Sequence, residues 1–339
     1  MDLGEVPFPL ATDPLRTEEV WRPLAMVLCH DCGLAQLDGD DTVVDEPRGV
    51  EPQALTDQAE DAVNRVAAAG WLRGSTVIEF GSPHGGTWLP LLTERGFTTA
   101  TSRADVVLDC FGSIHDPDQR SAFAARAKAT ALGGVLLFQY NALGAVVAQG
   151  QWNALRHGHF AYYSMTALLR LLDMVGMRIV TAWEFDLYGG TVLLAAVHGE
   201  AESDESVLRI LSDEERQGVT TPAYVAGLQR SVDEHVEGLR SWLEKEAAAG
   251  HTVFAYGAAS RAVTLFSRAG LDSRLLAAVA DASPAKQGRR MPGTDIPIVS
   301  PDELLAAEPD RVLLTIPDLL PEVSERFPQL DGRWKVDGQ

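Results

Sequence analysis

The chain has 339 residues, which is enough for two or three domains that each bury a core. Its 28 Lys and Arg against 48 Asp and Glu give a formal net charge of -20, which disfavours nucleic acid and anionic membrane surfaces as partners. Three cysteines exclude a disulfide framework. The sequence also lacks an apolar run of the roughly 20 residues that a membrane helix needs, and its start lacks a signal-peptide pattern. We therefore expect a cytoplasmic protein.

The first compact feature is a Cys-x-x-Cys-Gly turn that begins at Cys29 and includes Cys32. This spacing is typical of a zinc knuckle, but a structural zinc ion takes four ligands and the turn supplies two. His30, between the cysteines, is poorly placed to be a third ligand. We predict a small lobe over residues 1–48 that is like a zinc-binding lobe but has an incomplete set of ligands.

The next part of the chain alternates helix and strand, as a parallel sheet covered by helices does. Helical spacing ends at Gly70, and a β-rich run then leads into a glycine turn. The predicted helices cover residues 50–70, 88–95, 119–131 and 165–175, and the predicted strands cover residues 75–80, 105–110, 134–140, 178–185 and 191–197. The last two strands are expected to form a hairpin at Gly189 and Gly190, which ends a domain of residues 49–200.

The charged residues 201–218 indicate a linker, and residues 222–248 have the apolar spacing of one long amphipathic helix. Such a helix bridges domains or forms a dimer, so an oligomer is possible. A second alternation of strands and helices follows from residue 250 to residue 339. We therefore predict an α/β protein with a linker region at 201–249 and a second α/β domain at 250–339.

A glycine turn follows the first strand of the larger α/β domain. Residues 79–85 fit the pattern Glu-x-Gly-x-x-x-Gly, in which the absence of a Cβ lets a ligand approach the backbone closely. A turn with a purely structural role fits the pattern equally well.

Three histidines are candidates for proton transfer. His157 and His159 crowd a loop between a strand and a helix, and His115 follows the strand 105–110. Imidazole titrates near neutrality, and loops at the carboxyl ends of parallel strands line the binding crevice of open α/β sheets. The alternatives are histidines that bond to the backbone and, for His115, a role in capping the next helix.

Several motifs in fixed order resemble the sugar C-methyltransferases over nearly the whole chain. The motifs are Cys-x-x-Cys-Gly-Leu-x-Gln-Leu at 29–37, the glycine turn at 79–85, His-x-His-x-x-Tyr-x-Ser at 157–164, Gly-Gly-Thr at 189–191, Tyr-Gly-Ala-Ala at 256–259 and Ala-Lys-Gln-Gly-Arg at 285–289. The resemblance implies a shortened methyltransferase-like Rossmann domain of class I, followed by a second, Rossmann-like domain. It also implies S-adenosylmethionine as cofactor and a nucleotide-linked 4-keto-deoxysugar or a pathway intermediate as substrate.

The resemblance further assigns roles to individual residues. His159 would be the base that removes a proton next to the ketone, with His115 and His157 orienting the substrate or stabilising the enolate. The cofactor residues would be Glu79, Gly81, Ser82 and Gly85; the substrate residues would be Tyr140, Tyr162, Tyr188, Tyr256, Lys286 and Arg289, with Arg290 as a further phosphate contact; the zinc residues would be Cys29 and Cys32.

The sequence departs from the family pattern at chemically important positions. Arg156 and Gly158 replace a tyrosine and a glutamate of the histidine motif, and Arg261 stands where relatives carry lysine. Between Gly85 and the strand 105–110 there is no acid for the ribose hydroxyls, and a segment of several tens of residues is missing.

Three hypotheses about function follow from these matches and departures. The first is C-methyl transfer from S-adenosylmethionine to a carbon next to a ketone. The second is a relative that no longer uses the methyl donor and epimerises, isomerises or cyclises an intermediate with the same histidines. The third is an inactive scaffold that binds a partner enzyme.

Overall fold

The structure is a computed structural model and describes residues 8–13, 24–39, 51–83 and 85–338. Parts of the predicted N-terminal lobe, and His84 of the glycine turn, lie outside these residues. The strands are β1 (Met26–Leu28), β2 (Ala35–Leu37), β3 (Thr76–Phe80), β4 (Thr98–Thr99), β5 (Ala104–Cys110), β6 (Thr130–Asn141), β7 (Ala161–Tyr162), β8 (Met177–Phe185), β9 (Thr191–His198), β10 (Val253–Tyr256), β11 (Val279–Ala280), β12 (Ile298–Val299), β13 (Arg311–Leu314) and β14 (Trp334–Val336).

The helices connect these strands and cover the faces of the sheets. They are α1 (Gln53–Ala68), α2 (Leu89–Thr93), α3 (Gln119–Ala129), α4 (Leu143–Ala148), α5 (Met165–Asp173), α6 (Glu205–Gln217), α7 (Pro222–Val225), α8 (Gly227–Ala248), α9 (Ser260–Arg268), α10 (Pro301–Ala306) and α11 (Leu320–Arg326). None of the helices in the described residues is both long and apolar enough to cross a membrane.

The larger sheet has six strands in the order β4-β3-β5-β6-β9-β8. Strands β4, β3, β5 and β6 run parallel, whereas β9 is antiparallel to both of its neighbours, β6 and β8. The predicted hairpin of β8 and β9 is therefore confirmed. The sheet ends at the two-residue strand β4, in agreement with the expected shortening of this domain.

Helix α1 shows how sequence spacing places a helix on this sheet. Its buried side chains include Ala62, Val63 and Val66, which pack in one core cluster with Leu108 of β5. The chain leaves the helix at Gly70, whose φ of +76° lies in the left-handed region that favours glycine. Gln139, near the end of β6, donates to the Gln58 side chain of α1 at 2.9 Å, which ties the first half of the helix to that edge of the sheet.

The hairpin β1-β2 joins the N-terminal part of the chain to the loop that carries the candidate histidines. Strand β2 pairs antiparallel with β7, so that Ala35 lies opposite Tyr162. The Leu37 amide also donates to the Phe160 carbonyl at 3.3 Å. This small sheet therefore supports the histidine loop from one side.

The C-terminal sheet has the order β12-β11-β10-β13-β14, and all of its strands are parallel. Helix α9 begins directly after the turn at Gly257 that follows β10. Together with the larger sheet, this arrangement confirms the predicted α/β fold with two strand-and-helix domains.

The charged segment 201–218 is not a simple linker, because most of it forms helix α6. The Asp204 side chain accepts hydrogen bonds from the amides of the first turn, while Val207 and Ile210 are buried. The segment has enough apolar residues at helical spacing to pack one face. Its high charge reflects the exposed face of the helix.

The predicted long helix is two helices, α7 and α8, which meet at Ala226. Its apolar stripe is largely used within the chain, since Leu228, Leu239 and Leu243 are buried in a core shared with the C-terminal sheet. Trp152, which follows α4 and precedes β7, belongs to the same core. The helix thus bridges the two α/β domains, one of the two roles that its pattern predicted.

Candidate functional site

The candidate site lies where the loop after β5 meets the loop before β7. A short 3-10 helix, Ser113–His115, follows β5 and carries His115. Its start is fixed by the buried Asp109, whose Oδ1 accepts hydrogen bonds from the Gly112 and Ser113 amides at 2.8 and 3.2 Å. Arg126 Nε donates to Asp109 Oδ2 at 2.7 Å. These contacts hold the His115 backbone at the carboxyl edge of the sheet.

The hydrogen bond of His115 sets its tautomer. Its Nδ1 lies 2.9 Å from the Gly158 carbonyl oxygen. Because a carbonyl only accepts, Nδ1 carries the hydrogen and the ring lone pair is on Nε2. Burial, with a further contribution from the Arg156 charge, lowers the pKa of His115 to about 4. The imidazole is therefore neutral at pH 7, and its unprotonated Nε2 is buried.

His159 packs against His115 and is held by an arginine. The two imidazole centroids are 4.8 Å apart with an edge-to-face angle of 82°. Arg156 Nε donates to His159 Nε2 at 2.9 Å, and a second guanidinium nitrogen lies 2.6 Å from the same atom. The lone pair of His159 Nε2 is thus engaged by a cation.

The backbone around these histidines is anchored on both sides. The Phe160 amide donates to the Ile114 carbonyl at 2.7 Å, which ties the histidine loop to the 3-10 helix. The Tyr162 hydroxyl accepts from the Arg156 amide at 3.1 Å. His157 lies between these anchors and is 4% exposed. Of the three predicted histidines, His115 and His159 are in direct ring contact, and His157 is buried in the same loop.

Tyr188 lies at the C-terminal domain's side of this site. Its ring contacts Phe111 edge to face at 6.1 Å, and the Arg261 guanidinium carbon of α9 lies 5.6 Å from the ring centroid. Phe111 and Tyr188 have φ values of 61° and 54°, a strained backbone for residues that carry a Cβ. Burial raises the pKa of Tyr188 to about 12. Tyr188 is therefore a neutral phenol between the two domains.

The glycine turn is open at the positions where a ligand would approach. A Cβ added to Gly81 or Gly85 would meet nothing within 4 Å. The Glu79 carboxylate, in contrast, accepts hydrogen bonds from the Trp88 amide at 2.7 Å and the Thr87 hydroxyl at 2.5 Å. The Gly85 amide donates to the Ser82 carbonyl at 3.1 Å and closes the turn.

The turn therefore fits the backbone approach that the methionine part of S-adenosylmethionine requires. The four residues between β4 and β5, numbers 100–103, include no carboxylate for the ribose hydroxyls. The described residues therefore fit the methionine part of the cofactor, but residues 100–103 do not supply a carboxylate for its ribose.

Three of the four candidate substrate tyrosines lie in packed surroundings. Tyr140 is fully buried and contacts the rings of Phe138 and Tyr163. Tyr256 packs on Phe327 in the core of the C-terminal sheet. Tyr162 anchors the histidine loop, as described above. Only Tyr188 of this set shares contacts with the second domain's Arg261.

The candidate phosphate-binding cations bond to backbone carbonyls of the C-terminal domain and the N-terminal segment. Lys286 Nζ donates to the Ala258 carbonyl at 2.7 Å and is 5% exposed. Arg289 donates to the Phe8 carbonyl at 2.6 Å, and Arg290 to the Thr294 carbonyl at 3.0 Å. The Arg289 contact, together with the Lys286 ammonium group 5.2 Å from the Phe8 ring centroid, helps to hold residues 8–13 in place.

A zinc site is not supported. Within the described residues, no three His, Cys, Asp or Glu side chains are grouped so that they could hold a metal ion. Cys29 and Cys32 are both free thiols in a tight turn. Backbone amides, first that of Cys32, lower the pKa of Cys29, whereas burial raises the pKa of Cys32. The turn supports the β1-β2 hairpin without a metal-ligand set in the described part of the chain.

Sequence reasoning did not assign site roles to Phe111, Arg156 and Arg261. A signal was present for each of them, because Phe111 directly follows a strand, Arg156 precedes His157, and Arg261 lies in the first turn after a glycine loop. What the sequence could not give is that Phe111 and Arg261, which belong to different domains, both contact Tyr188.

Comparison with known proteins adds two matches in sequence. Residues 186–334 match a family model described as the C-methyltransferase C-terminal domain. The C-methyltransferase NovU of Streptomyces niveus is 26% identical over 232 residues, which cover 67% of this chain and 55% of that protein. The chain therefore spans about half the length of this curated relative.

Solved structures give weaker matches. Magnesium protoporphyrin IX methyltransferase from Synechocystis PCC 6803 covers 43% of this chain and 84% of its own, with 15% identity and a TM-score of 0.31. An S-adenosylmethionine-dependent methyltransferase from Clostridium acetobutylicum covers 44% and 93%, with 10% identity and a TM-score of 0.31. At these scores the fold rests on the strand order described above. The two sequence matches show that the chain is similar to C-methyltransferases, and that residues 186–334 resemble their C-terminal domain.

Proposed function

We propose that the chain is an enzyme of the C-methyltransferase type that deprotonates a carbon next to a carbonyl group, with His115 as the base. The proposed substrate is a deoxysugar or a related natural-product intermediate, as the family resemblance implies. The observation that carries the proposal is the His115 tautomer, in which Nδ1 donates to the Gly158 carbonyl and Nε2 bears the lone pair. His159, the base expected from the motif, has its Nε2 bonded to Arg156.

In the proposed reaction, His115 accepts the proton and Tyr188 stabilises the enolate. His115 Nε2 takes the proton from the carbon, and the C–H electron pair forms an enolate. The positive charge that develops on His115 is delocalised over a ring whose Nδ1–H is already fixed by a carbonyl. Tyr188, held neutral by burial, is a hydrogen-bond donor for the enolate oxygen. His159 packs edge-on and keeps the His115 ring in position.

S-adenosylmethionine, when bound, supplies an electrophilic methyl group for the enolate carbon. The residues of this chain that would hold it are Gly81, Ser82 and Gly85, where the backbone is open to a ligand. Glu79 would act through the turn, because its carboxylate fixes the start of α2 by bonding to the Trp88 amide and the Thr87 hydroxyl.

A second candidate function is donor-independent enolate chemistry, such as epimerisation, isomerisation or cyclisation. The short edge strand β4 and the absence of a carboxylate at residues 100–103 favour it. In an epimerisation the proton returns to the same carbon from the other face, and in an isomerisation it returns to the enolate at another position. His115 and Tyr188 would have the same roles in both candidate functions.

The first test follows hydrogen-to-deuterium exchange next to the ketone of a nucleotide-linked 4-keto-deoxysugar in D₂O by NMR. The wild type is expected to catalyse exchange, and His115→Gln is expected to slow it by roughly 100-fold or more, because general-base catalysis contributes that much. His159→Gln should slow it less, and His251→Gln, distant in sequence and bonded to Glu246, should not change it. An unchanged rate in His115→Gln removes His115 from the reaction.

Calorimetric titration with S-adenosylmethionine and S-adenosylhomocysteine distinguishes the two candidates. Binding of either ligand, weakened by Gly81→Val, supports methyl transfer. Exchange without binding of either ligand supports the donor-independent reaction. A folded protein that shows neither exchange nor binding would be a scaffold, and the proposal of an enzyme would then be wrong.

A further inference from the structure

Tyr188 lies in a short turn between β8 and β9, Leu187–Gly189, whose backbone is fixed from several sides. Its φ of 54° lies in the left-handed region, which is unfavourable for a residue with a Cβ. The Thr191 hydroxyl donates to the Leu187 carbonyl at 2.8 Å, and Gln151 Nε2 donates to the Tyr188 carbonyl at 3.1 Å. A strained conformation of this kind persists only where the surrounding contacts over-determine it.

The C-terminal domain supplies a further contact to this turn. Asp318, in the 3-10 turn Pro317–Leu319 that follows β13, accepts a hydrogen bond from the Tyr188 amide at 3.1 Å through Oδ1. Glu322 of α11 makes a second contact between the domains, because its Oε2 accepts from the Gln53 amide at the start of α1 at 3.1 Å. The segment after β13 is therefore hydrogen-bonded to two separate parts of the larger domain.

The Tyr188 ring is also held by side chains of both domains. Phe111, from the larger domain, contacts it edge to face with the ring centroids 6.1 Å apart. The Arg261 guanidinium carbon, from α9, lies 5.6 Å from the Tyr188 centroid, within the range of a cation–π contact. Burial raises the pKa of Tyr188, and the Arg261 charge acts in the opposite direction, which strengthens the phenol as a hydrogen-bond donor.

The hydroxyl is the polar group of Tyr188 that these contacts leave unused. Within the part of the chain that the structure describes, both backbone polar groups of Tyr188 are hydrogen-bonded, whereas no hydrogen bond to its hydroxyl is found. The Tyr162 hydroxyl, in contrast, accepts from the Arg156 amide, and the Tyr163 hydroxyl donates to Ser113. A tyrosine with a fixed backbone, a fixed ring and an unbonded hydroxyl is suited to bond to a ligand.

We propose that Asp318 and Arg261 are positioning residues of the C-terminal domain, which hold the Tyr188 phenol where its hydroxyl donates to an oxygen of the substrate. Asp318 fixes the backbone of Tyr188, and Arg261 fixes its ring. The inference rests on the proposed function, in which Tyr188 is the donor to the enolate oxygen. The C-terminal domain thus completes a site whose base belongs to the larger domain.

The test measures deuterium exchange of the nucleotide-linked 4-keto-deoxysugar in D₂O, with kcat and KM determined separately. Asp318→Ala and Arg261→Met should each lower kcat roughly tenfold or more with little change in KM, because a displaced donor is lost mainly in the transition state. Asp318→Asn, which keeps an acceptor oxygen, and Arg261→Lys, which keeps the charge, should restore most of the rate. Asp302→Ala and Arg268→Met, at exposed positions of the same domain, are the matched controls.

A double-mutant cycle separates positioning from a general structural role. Tyr188→Phe removes the hydroxyl and should lower kcat by roughly 100-fold. Adding Asp318→Ala or Arg261→Met to Tyr188→Phe should lower kcat no further, because a positioning residue acts only through that hydroxyl. Fully additive losses, or a wild-type kcat in both single variants, would overturn the proposal.

The ¹⁹F NMR resonance of 3-fluorotyrosine, incorporated in place of Tyr188, reports the ring without any turnover. The resonance should shift or broaden when Asp318→Ala or Arg261→Met is introduced, and should not change with Arg268→Met. An unchanged resonance in both test variants contradicts the positioning roles. The expected changes in a protein that catalyses no exchange would leave the positioning of Tyr188 standing and refute only the proposed function.

Discussion

At the scale of single residues, the site depends on hydrogen bonds that fix which nitrogen carries a proton. His115 and His159 are adjacent imidazoles, yet one donates to a carbonyl and the other accepts from a guanidinium group. Both sequence positions suggest a catalytic role. Only these contacts favour His115 as the base and His159 as the residue that packs against it. The same logic applies to Tyr188 and Tyr140, since one contacts a second domain and the other fills a core.

The low pKa of His115 has a consequence for stability in acid. The folded-state pKa of about 4 lies below the unfolded value of about 6.5, so protons bind preferentially to the unfolded chain as the pH falls below 6.5. Between pH 7 and pH 5, His115 should therefore reduce the free energy of unfolding by about 2 kcal/mol. Urea unfolding of wild type and His115→Gln at both pH values measures this, and the variant should lose less stability.

His30→Gln serves as the control for this prediction, because His30 is exposed. Its stability should fall between pH 7 and pH 5 by as much as that of the wild type. If His115→Gln loses as much stability as the wild type over the same interval, the His115 imidazole is not held in its neutral form.

At the scale of elements, helix α6 shows why a charged segment can be structural. Glu214 is buried, and its carboxylate accepts hydrogen bonds from the Met165 and Thr166 amides at 2.7 and 2.8 Å. These amides lie in the first turn of α5, where backbone donors lack partners within the helix. Helix α6 therefore caps α5, whose N-terminus directly follows the histidine loop.

We expect Glu214→Ala to lower the free energy of unfolding by about 1–3 kcal/mol, because it leaves buried amide donors without acceptors. Glu215→Ala, at the next and exposed position of the same helix, should change it by less than about 0.5 kcal/mol. Denaturant unfolding compares the two variants. Equal stabilities would show that the α6 contact does not support α5.

At the scale of the whole molecule, helix α8 and the C-terminal sheet share a core with the segment between β6 and β7 of the larger domain. Helix α8 buries Leu239 and Leu243 in the cluster that also contains Trp152 and Val253. The His235 imidazole of α8 lies 3.1 Å from Trp152 Nε1 and 2.7 Å from Asp337 Oδ1, which links three distant segments by hydrogen bonds. The contact between Tyr188 and Arg261 therefore lies between domains that are packed together.

A shared core predicts cooperative unfolding of both domains. Leu243→Ala should lower the free energy of unfolding by about 2–5 kcal/mol, since it leaves a cavity at a fully buried position. Amide exchange should accelerate together in β6 and β10, and calorimetry should show one transition. Lys245→Ala, at an exposed position two residues further on, is the matched control. Two separate transitions, with only one of them shifted, would contradict the shared core.

The sequence by itself determined the α/β class, the main strands and helices of the larger sheet, the terminal hairpin and the resemblance to C-methyltransferases. Each of these depends on local periodicity or on motifs that lie within a few residues of one another. The apolar residues of α8 recur at helical spacing, and β5 and β6 are apolar runs typical of strands. Local sequence is therefore enough to predict the secondary structure of these segments. The sequence also placed His115 and His159 among the candidates, because both follow or precede recognisable elements.

Tertiary structure alone decided which candidates form a site. Phe111 and Arg261 are distant in sequence, and only the packing of the two domains brings both into contact with the Tyr188 ring. Lys286 and Arg289 are cations of the kind that binds phosphate, and in the structure both donate to backbone carbonyls. The sequence gives the charge of each side chain, but the partners of that side chain depend on contacts between distant segments. Those contacts form only when the whole chain folds.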